Sequence, residues 1–181
     1  IAARPDDPYA RLVRGLASLM AGSNETAQAD IRAAIELQQD LHVAHAMKGL
    51  ADILGKDAES ALKSFETAMD LAPDSALCRV GHALARAQRR EHSAATEELT
   101  KVLEADPKNV DALVIRGDCE RELGRLEDAL QDYQQAAVVT GGNAALLAKF
   151  FQTQADREKA NGRASGGVLS PGAFSGALRA R

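Results

Sequence analysis

The sequence predicts an all-α fold built from stacked helix–turn–helix repeats, an α-solenoid. The first observation is composition. Of the 181 residues, 36 are alanine and 21 are leucine, whereas only six are aromatic. Alanine and leucine head the ranking of helix formers, and the residues that favour strands are scarce, so a β-sandwich or β-barrel is excluded. The second observation is a period of 34 residues that runs without insertion from residue 8 to residue 143. A fixed period of this length is typical of helical repeat arrays.

The period divides the chain into four repeats after a short lead-in, residues 1–7. The repeats are residues 8–41, 42–75, 76–109 and 110–143. Position 8 of each repeat carries a small residue: Gly15, Gly49, Ala83 and Gly117. Position 20 is alanine in every repeat: Ala27, Ala61, Ala95 and Ala129. Position 24 is large: Ile31, Phe65, Leu99 and Tyr133. Small residues at positions 8 and 20 let two helix backbones approach closely, and we expect the large residue to fill the volume beside that contact.

Each repeat is predicted to be a helix, a short turn, a second helix and a second turn. Positions 20, 24, 27 and 28 are spaced as one face of a helix. Glycine or polar residues lie between the two helices of each repeat, as in Gly22-Ser23-Asn24. Pro73 and Pro107 are expected to end the second helix of their repeats, because proline cannot continue a helix.

Residues 144–160 are predicted to form a terminal capping helix. An apolar stripe of Leu146, Leu147, Phe150 and Phe151 precedes a polar stretch. The last repeat of a solenoid exposes an apolar face, and a terminal helix of this kind covers it. The start of a further repeat in a longer protein is the alternative.

Residues 161–181 form a basic tail rich in glycine, serine and alanine, which predicts a flexible extension. Its apolar residues are Val168, Leu169, Phe174 and Leu178. We hypothesise that these residues dock on the solenoid or on a neighbouring chain. A tail that makes no such contact is the alternative.

This pattern resembles the tetratricopeptide repeat, whose signature is a small residue at position 8, glycine near 15, alanine at 20, a large residue at 24 and proline at 32. The fourth repeat carries it as ALVIRGDCERELGRLEDALQDY, and the second repeat closes with AMDLAPDS. Position 4, usually bulky in the family, departs from the signature in Arg11, His45 and Arg79 but not in Leu113. Position 11, usually tyrosine, is Ser18, Asp52, Arg86 and Glu120.

The resemblance implies a concave groove lined by positions 2, 5, 9 and 12 of the first helices, which would bind a partner segment. These positions are apolar throughout the first three repeats, and the residues expected to bind are Tyr9, Leu12, Leu16, Leu19, Val43, Ala46, Leu50, Ile53, Leu77, Val80 and Leu84. In the fourth repeat they are Asp111, Val114, Asp118 and Arg121. The groove would therefore accept an apolar or amphipathic protein or peptide segment in its N-terminal half. The alternative is that these apolar residues form the core side of slightly rotated helices.

Other classes of partner are excluded or disfavoured by charge and motif. The net charge is −4, and the body up to residue 143 is acidic, which argues against nucleic acid. No stretch is long and apolar enough to predict a membrane span. The family's carboxylate clamp for chaperone tails needs polar residues at positions 5 and 9, which are apolar in the first three repeats.

No catalytic residue, metal site or cofactor is predicted. The sequence shows no phosphate-binding glycine loop and no serine nucleophile elbow. His42 and His45 are three residues apart but are predicted to be packed or solvated rather than metal-bound. Cys78 and Cys119 are predicted to be small core residues.

We therefore predict a non-catalytic interaction or scaffold module. The alternatives are a self-assembling subunit that uses its cap or tail, giving a homo-oligomer, and an accessory domain of a larger protein. The second of these follows from a sequence that begins at Ile1 rather than methionine.

Overall fold

The computed structural model describes residues 7–162, and within this range all regular secondary structure is α-helical. The hydrophobic tail residues named above lie outside the described residues. The helices of the described range are α1 (Pro8–Met20), α2 (Asn24–Leu37), α3 (His42–Leu54), α4 (Ala58–Leu71), α5 (Ala76–Gln88), α6 (His92–Ala105), α7 (Val110–Glu122), α8 (Leu126–Val139) and α9 (Ala144–Ala160). The predicted all-α repeat fold is confirmed.

The starts of several helices are fixed by polar side chains that accept hydrogen bonds from free backbone N–H groups. Asp7 accepts from Tyr9 and Ala10 at the start of α1, where proline occupies the first turn. Asn109 caps α7 and Asn143 caps α9 in the same way. These caps satisfy backbone N–H groups that the first turn of a helix leaves without a partner.

The turn between the two helices of each repeat contains one residue with a positive φ angle at position 15. It is glycine in the first and fourth repeats, with φ of 75° at Gly22 and 76° at Gly124. In the second and third repeats the same conformation is adopted by Lys56 and Arg90, at 62° and 64°. Glycine adopts this left-handed conformation without strain, whereas a residue with a Cβ does so at a cost. The backbone of the repeat is therefore kept even where its favoured residue is absent.

The helices form two compact units, an N-terminal unit (Ile1–Ala95) and a C-terminal unit (Thr96–Arg181), with the boundary inside α6. In the N-terminal unit, α1 pairs with α2 and α3 with α4. Each second helix also contacts the next first helix, and the first helices α1, α3 and α5 are neighbours in that order. In the C-terminal unit, α7 pairs with α8, and α8 packs against α9.

Phe65 is the largest side chain in one core cluster of the N-terminal unit. Its ring is fully buried and lies between Gly49 of α3 and Gly81 of α5. A Cβ atom at Gly49 would lie 2.6 Å from the ring, and one at Gly81 would lie 2.2 Å from it. Only glycine leaves room for the ring at both positions, so the large residue at position 24 fills the space beside a close helix contact, as predicted.

Tyr133 occupies the equivalent place in the C-terminal unit, against Gly117 of α7. Both cysteines are buried free thiols, as the sequence predicts. Burial raises the pKa of the Cys119 thiol to about 11, so this cysteine stays protonated at neutral pH.

Candidate partner-binding surface

The apolar residues predicted to line a groove separate into exposed and buried sets. Tyr9, Leu16 and Leu77 are exposed, with 57%, 47% and 52% of their surface accessible. These residues are free to contact a partner. They lie on α1 and α5, two of the three neighbouring first helices of the N-terminal unit.

Other predicted groove residues belong to the core. Leu12 is buried in a cluster with Ile31 and Met47. Ala46 and Ile53 are buried in the cluster around Phe65. Val80 is buried as well, and the half-buried residues are Leu19, Val43, Leu50 and Leu84. The apolar positions of the first helices therefore divide into exposed side chains and core side chains.

The structure adds exposed apolar residues that the sequence reasoning omitted. Val13 and Met20 on α1 are 69% and 84% exposed, and Leu54 on α3 is 61% exposed. They stand at positions 6 and 13 of their repeats. Tyr9, Val13, Leu16 and Met20 are spaced i, i+4, i+7 and i+11, which places them in one stripe along α1. That spacing was present in the sequence and would have identified the stripe.

We call this surface the α1/α3/α5 face, defined by Tyr9, Val13, Leu16, Met20, Leu54 and Leu77. In the N-terminal unit, positions 2, 5, 6, 9, 12 and 13 of the three first helices include no charged residue. The charges of these helices stand at positions 4, 7 and 11, which a helical wheel places on the opposite side.

The charged side of the first helices is paired with neighbouring groups. The Arg14 guanidinium donates to both carboxylate oxygens of buried Asp30 on α2, with 2.6 Å between Nε and Oδ2. This hydrogen bond lowers the pKa of Asp30. On α3, the Lys48 ammonium donates to Asp52 at 2.9 Å and to the Ser64 hydroxyl at 2.8 Å. The cations therefore hold the helix pairs together and leave the α1/α3/α5 face apolar.

The fourth repeat presents a different surface at the same positions. Asp118, at position 9 of α7, accepts a hydrogen bond of 2.6 Å from the Tyr133 hydroxyl and one of 2.7 Å from the Lys149 ammonium on α9. Burial and the bond to Asp118 raise the pKa of Tyr133, so the phenol remains a donor. Lys149 also lies 5.7 Å from the centre of the Tyr133 ring. This position therefore serves packing of α7, α8 and α9.

His42 and His45 have a spacing that metal ligands can have, and one of them, His45, has a hydrogen-bonding partner in the backbone. The His45 Nε2 atom lies 2.9 Å from the backbone oxygen of Gln39, which precedes α3. Across residues 7–162, no group of three or more His, Cys, Asp or Glu side chains is placed to hold a metal ion. No helix of the same range is both long enough and apolar enough to cross a membrane.

Comparison with known proteins supports the repeat assignment. Residues 80–145 match the family described as Tetratricopeptide repeat. Over 63 residues the chain is 40% identical to FK506-binding protein 59 of Drosophila melanogaster, a match that covers 35% of this chain and 14% of that protein. The chain thus spans only a small part of that relative's length.

Solved structures share the fold at low sequence identity. A thermophilic tetratricopeptide-repeat protein of Thermus thermophilus aligns over 84% of each chain, with a TM-score of 0.78 and 17% identity. YrrB, described as a tetratricopeptide-repeat protein with an unusual peptide-binding site, aligns over 96% of this chain and 87% of its own, with a TM-score of 0.62 and 17% identity. The in-phase repeats, the family match over residues 80–145 and the shared fold together show that this chain contains tetratricopeptide repeats and has the fold of such repeat proteins.

Proposed function

We propose that this chain is a non-catalytic binding module that holds an apolar segment of a partner protein on the α1/α3/α5 face. Tetratricopeptide repeats generally mediate protein–protein interaction, and the proposal assigns that role to one surface. The observation that carries it is the stripe of four exposed apolar side chains on α1, the least exposed of which still has 47% of its surface accessible. Contiguous exposed apolar surface of this kind is typical of recognition sites.

The chemistry of the face determines the kind of segment it would accept. Fully burying one large apolar side chain contributes about 1.5–3 kcal/mol, so several together supply a useful driving force. The face offers no charged group to pair with a charged partner residue, and an unpaired buried charge is costly. The apolar side of an amphipathic helix, with its charges turned to solvent, fits both conditions.

The comparisons support the proposal in one respect. YrrB is described as a protein with a peptide-binding site and shares the fold of this chain. Its site is a property of that protein, and at 17% identity the likeness extends to the fold alone. It supports the view that a repeat array of this size can hold a peptide.

The test is a pair of matched double variants. Leu16→Glu with Leu77→Glu places two charges on the α1/α3/α5 face. Leu37→Glu with Leu71→Glu makes the same change on the second helices α2 and α4, at residues of similar exposure, 44% and 41%. Proteins captured on the immobilised wild-type chain would be identified by quantitative mass spectrometry, and their affinity measured by titration calorimetry.

We expect the face variant to weaken partner binding at least tenfold, which corresponds to about 1.4 kcal/mol, because each glutamate must be desolvated against an apolar surface. The control variant should bind as the wild type does. Thermal melting followed by circular dichroism should show both variants folded. Equal binding by the two variants would reject the α1/α3/α5 face as the site.

A second copy of the chain is the alternative occupant of the same surface. If a second copy binds there, the mass measured by light scattering should rise with protein concentration. In the Leu16→Glu, Leu77→Glu variant it should stay at the monomer value. A monomer mass at all concentrations would leave a different protein as the partner.

A further inference from the structure

The α1/α3/α5 face ends at the turns that follow the first helices of the second and third repeats. Leu54, the last residue of α3, belongs to the face and is 61% exposed. Two residues later, at position 15 of its repeat, stands Lys56, and Arg90 holds the same position after α5. We call residues 55–57 and 86–91 the cationic rim. Apolar surface and cationic side chains therefore adjoin at this end of the face.

Hydrogen bonds hold the two turns of the cationic rim side by side. The carbonyl oxygen of Ile53, near the end of α3, accepts a bond of 3.0 Å from the Lys56 amide. The same oxygen accepts a bond of 3.1 Å from the side-chain amide of Gln88, the last residue of α5. Arg90 stands two residues after Gln88. Lys56 and Arg90 therefore lie on neighbouring turns that are joined through one carbonyl oxygen.

Both cations occupy a backbone conformation that favours glycine. The φ angle is 62° at Lys56 and 64° at Arg90, against 75° at Gly22 and 76° at Gly124 in the repeats that have glycine there. A residue with a Cβ adopts this conformation at a cost, so the two turns are less stable than they would be with glycine. Side chains held in such conformations cluster at functional sites.

The carboxylates in and beside the cationic rim already have partners. Asp57 accepts a hydrogen bond of 3.0 Å from a backbone amide in the first turn of α4, which lowers the pKa of Asp57. The Glu91 carboxylate lies 3.1 Å from the guanidinium of Arg89. On α4, Glu59 accepts a hydrogen bond of 3.0 Å from the Lys63 ammonium.

Two cations of the rim remain without such a partner. The side chains of Lys56 and Arg90 are exposed, and neither makes a hydrogen bond or an ion pair with the residues that the structure describes. The cationic rim contains four cations and two carboxylates, whereas residues 1–95 as a whole contain 11 cations and 13 carboxylates. The positive charge is therefore local, which suits a short acidic segment better than an extended anionic surface.

We propose that the partner segment on the α1/α3/α5 face is an acidic amphipathic helix, whose carboxylates pair with Lys56 and Arg90 while its apolar side covers Leu54. The acidic character of the partner rests on the proposed function of the face and adds a charge preference to it. Ammonium and guanidinium groups form charge-assisted hydrogen bonds with carboxylates. Complementary charge around an apolar contact speeds association and selects between partners, so a basic amphipathic helix is disfavoured.

Three designed amphipathic peptides that share one leucine face test the charge of the partner. Their polar residues are all glutamate, all glutamine or all lysine, and titration calorimetry measures their affinity for the full chain. We expect the glutamate peptide to bind at least threefold more tightly than the glutamine peptide, because each exposed ion pair contributes only a modest free energy. The lysine peptide should bind most weakly. The advantage of glutamate should shrink as salt is raised, since exposed charges are screened.

The decisive variant is Lys56→Gln with Arg90→Gln, which removes the two unpaired cations. It should lose most of the preference for the glutamate peptide. Arg32→Gln with Lys63→Gln is the matched control, because it removes two exposed cations from the second helices α2 and α4 and should keep the preference. A preference as large in the Lys56→Gln, Arg90→Gln variant as in the wild type would overturn the proposal.

A glycine variant guards against an effect on folding. Lys56→Gly with Arg90→Gly removes the same charges and supplies the residue that this turn favours, so its melting temperature should equal or exceed that of the wild type. It should lose the preference for glutamate as the glutamine variant does. A glycine variant that keeps the preference would also overturn the proposal.

The glutamine peptide separates the charge preference from the proposed function, since it carries no charged side chain. If the three peptides bind the wild type equally and Leu16→Glu with Leu77→Glu weakens binding of the glutamine peptide, the proposed function stands and the charge preference fails. If no peptide binds, both fail. Sedimentation of the chain with vesicles of phosphatidylserine and phosphatidylcholine, without binding of the glutamate peptide, would overturn the proposal in favour of a membrane surface.

Discussion

The N-terminal and C-terminal units place very different side chains at the same repeat positions. Position 9 is leucine in all three first helices of the N-terminal unit, whereas in α7 it is Asp118, held by Tyr133 and Lys149. In one unit the position is apolar surface or core, and in the other it joins helices through polar bonds. The comparison shows that the 34-residue repeat determines the backbone conformation. The residue types at its surface positions, and the contacts they make, can differ from one repeat to another.

The same contrast appears in the core. Phe65 at position 24 is held by close packing between two glycines. Tyr133 at the same position packs on one glycine and also donates a hydrogen bond. The N-terminal unit therefore depends more on steric fit at this point, and the C-terminal unit depends more on a polar network.

Gly81→Ala gives the largest expected effect and tests the dependence on steric fit. Alanine improves helix propensity by about 1 kcal/mol, but overpacking a core costs about 1–3 kcal/mol. Its Cβ would lie 2.2 Å from the ring of Phe65, which Gly49 confines on the other side, so we expect the upper part of that range and a net loss of stability. Urea denaturation of the full chain measures it.

Gly15→Ala is the matched control within the same unit. Its Cβ would lie 3.2 Å from the Cγ1 atom of Ile31, a contact that a small shift relieves. The gain in propensity should then offset the strain and leave stability nearly unchanged. Equal losses of stability in Gly81→Ala and Gly15→Ala would contradict the conclusion that the ring of Phe65 leaves no room for a Cβ atom at position 81.

Tyr133→Phe gives an intermediate effect and tests the polar network of the C-terminal unit. The variant keeps the ring and removes the donor to Asp118. We expect a loss of about 1.5 kcal/mol, the lower end for a hydrogen bond to a charged group, because Asp118 retains Lys149. Urea denaturation of this variant, of Lys149→Met and of the double variant measures the coupling between the two bonds. Strictly additive losses would show that the residues act independently.

The smallest expected effect concerns the charged side of the N-terminal unit. The hydrogen bond from Arg14 lowers the pKa of Asp30 in the folded chain. The carboxylate therefore contributes stability above the ordinary carboxyl pKa, near 4, and this contribution is lost as pH falls through the lowered value. The difference in unfolding free energy between the wild type and Asp30→Asn should shrink between pH 6 and pH 3. If the difference in unfolding free energy does not change with pH, the ion pair between Arg14 and Asp30 is not its cause.

Much of the fold could be predicted from the sequence because its signals are local and repeated. Alanine at position 20 and a large residue at position 24 occur in all four repeats, and proline follows the second helix in two of them. The candidate surface was harder to predict. Leu12 and Leu16 are both leucines of α1, yet one is 4% exposed and the other 47%. Their difference depends on which neighbouring helix covers each side of α1, and helix spacing alone does not contain that information.

The sequence by itself determined the helices, the 34-residue frame and the close contacts at positions 8 and 20, because helix propensity and helical periodicity are properties of neighbouring residues. Only the tertiary structure decided which apolar side chains remain exposed on the α1/α3/α5 face. It also decided how Arg14 and Lys48 are each paired. These properties depend on contacts between residues far apart in the chain, since a side chain is buried or paired by the helix that packs against it.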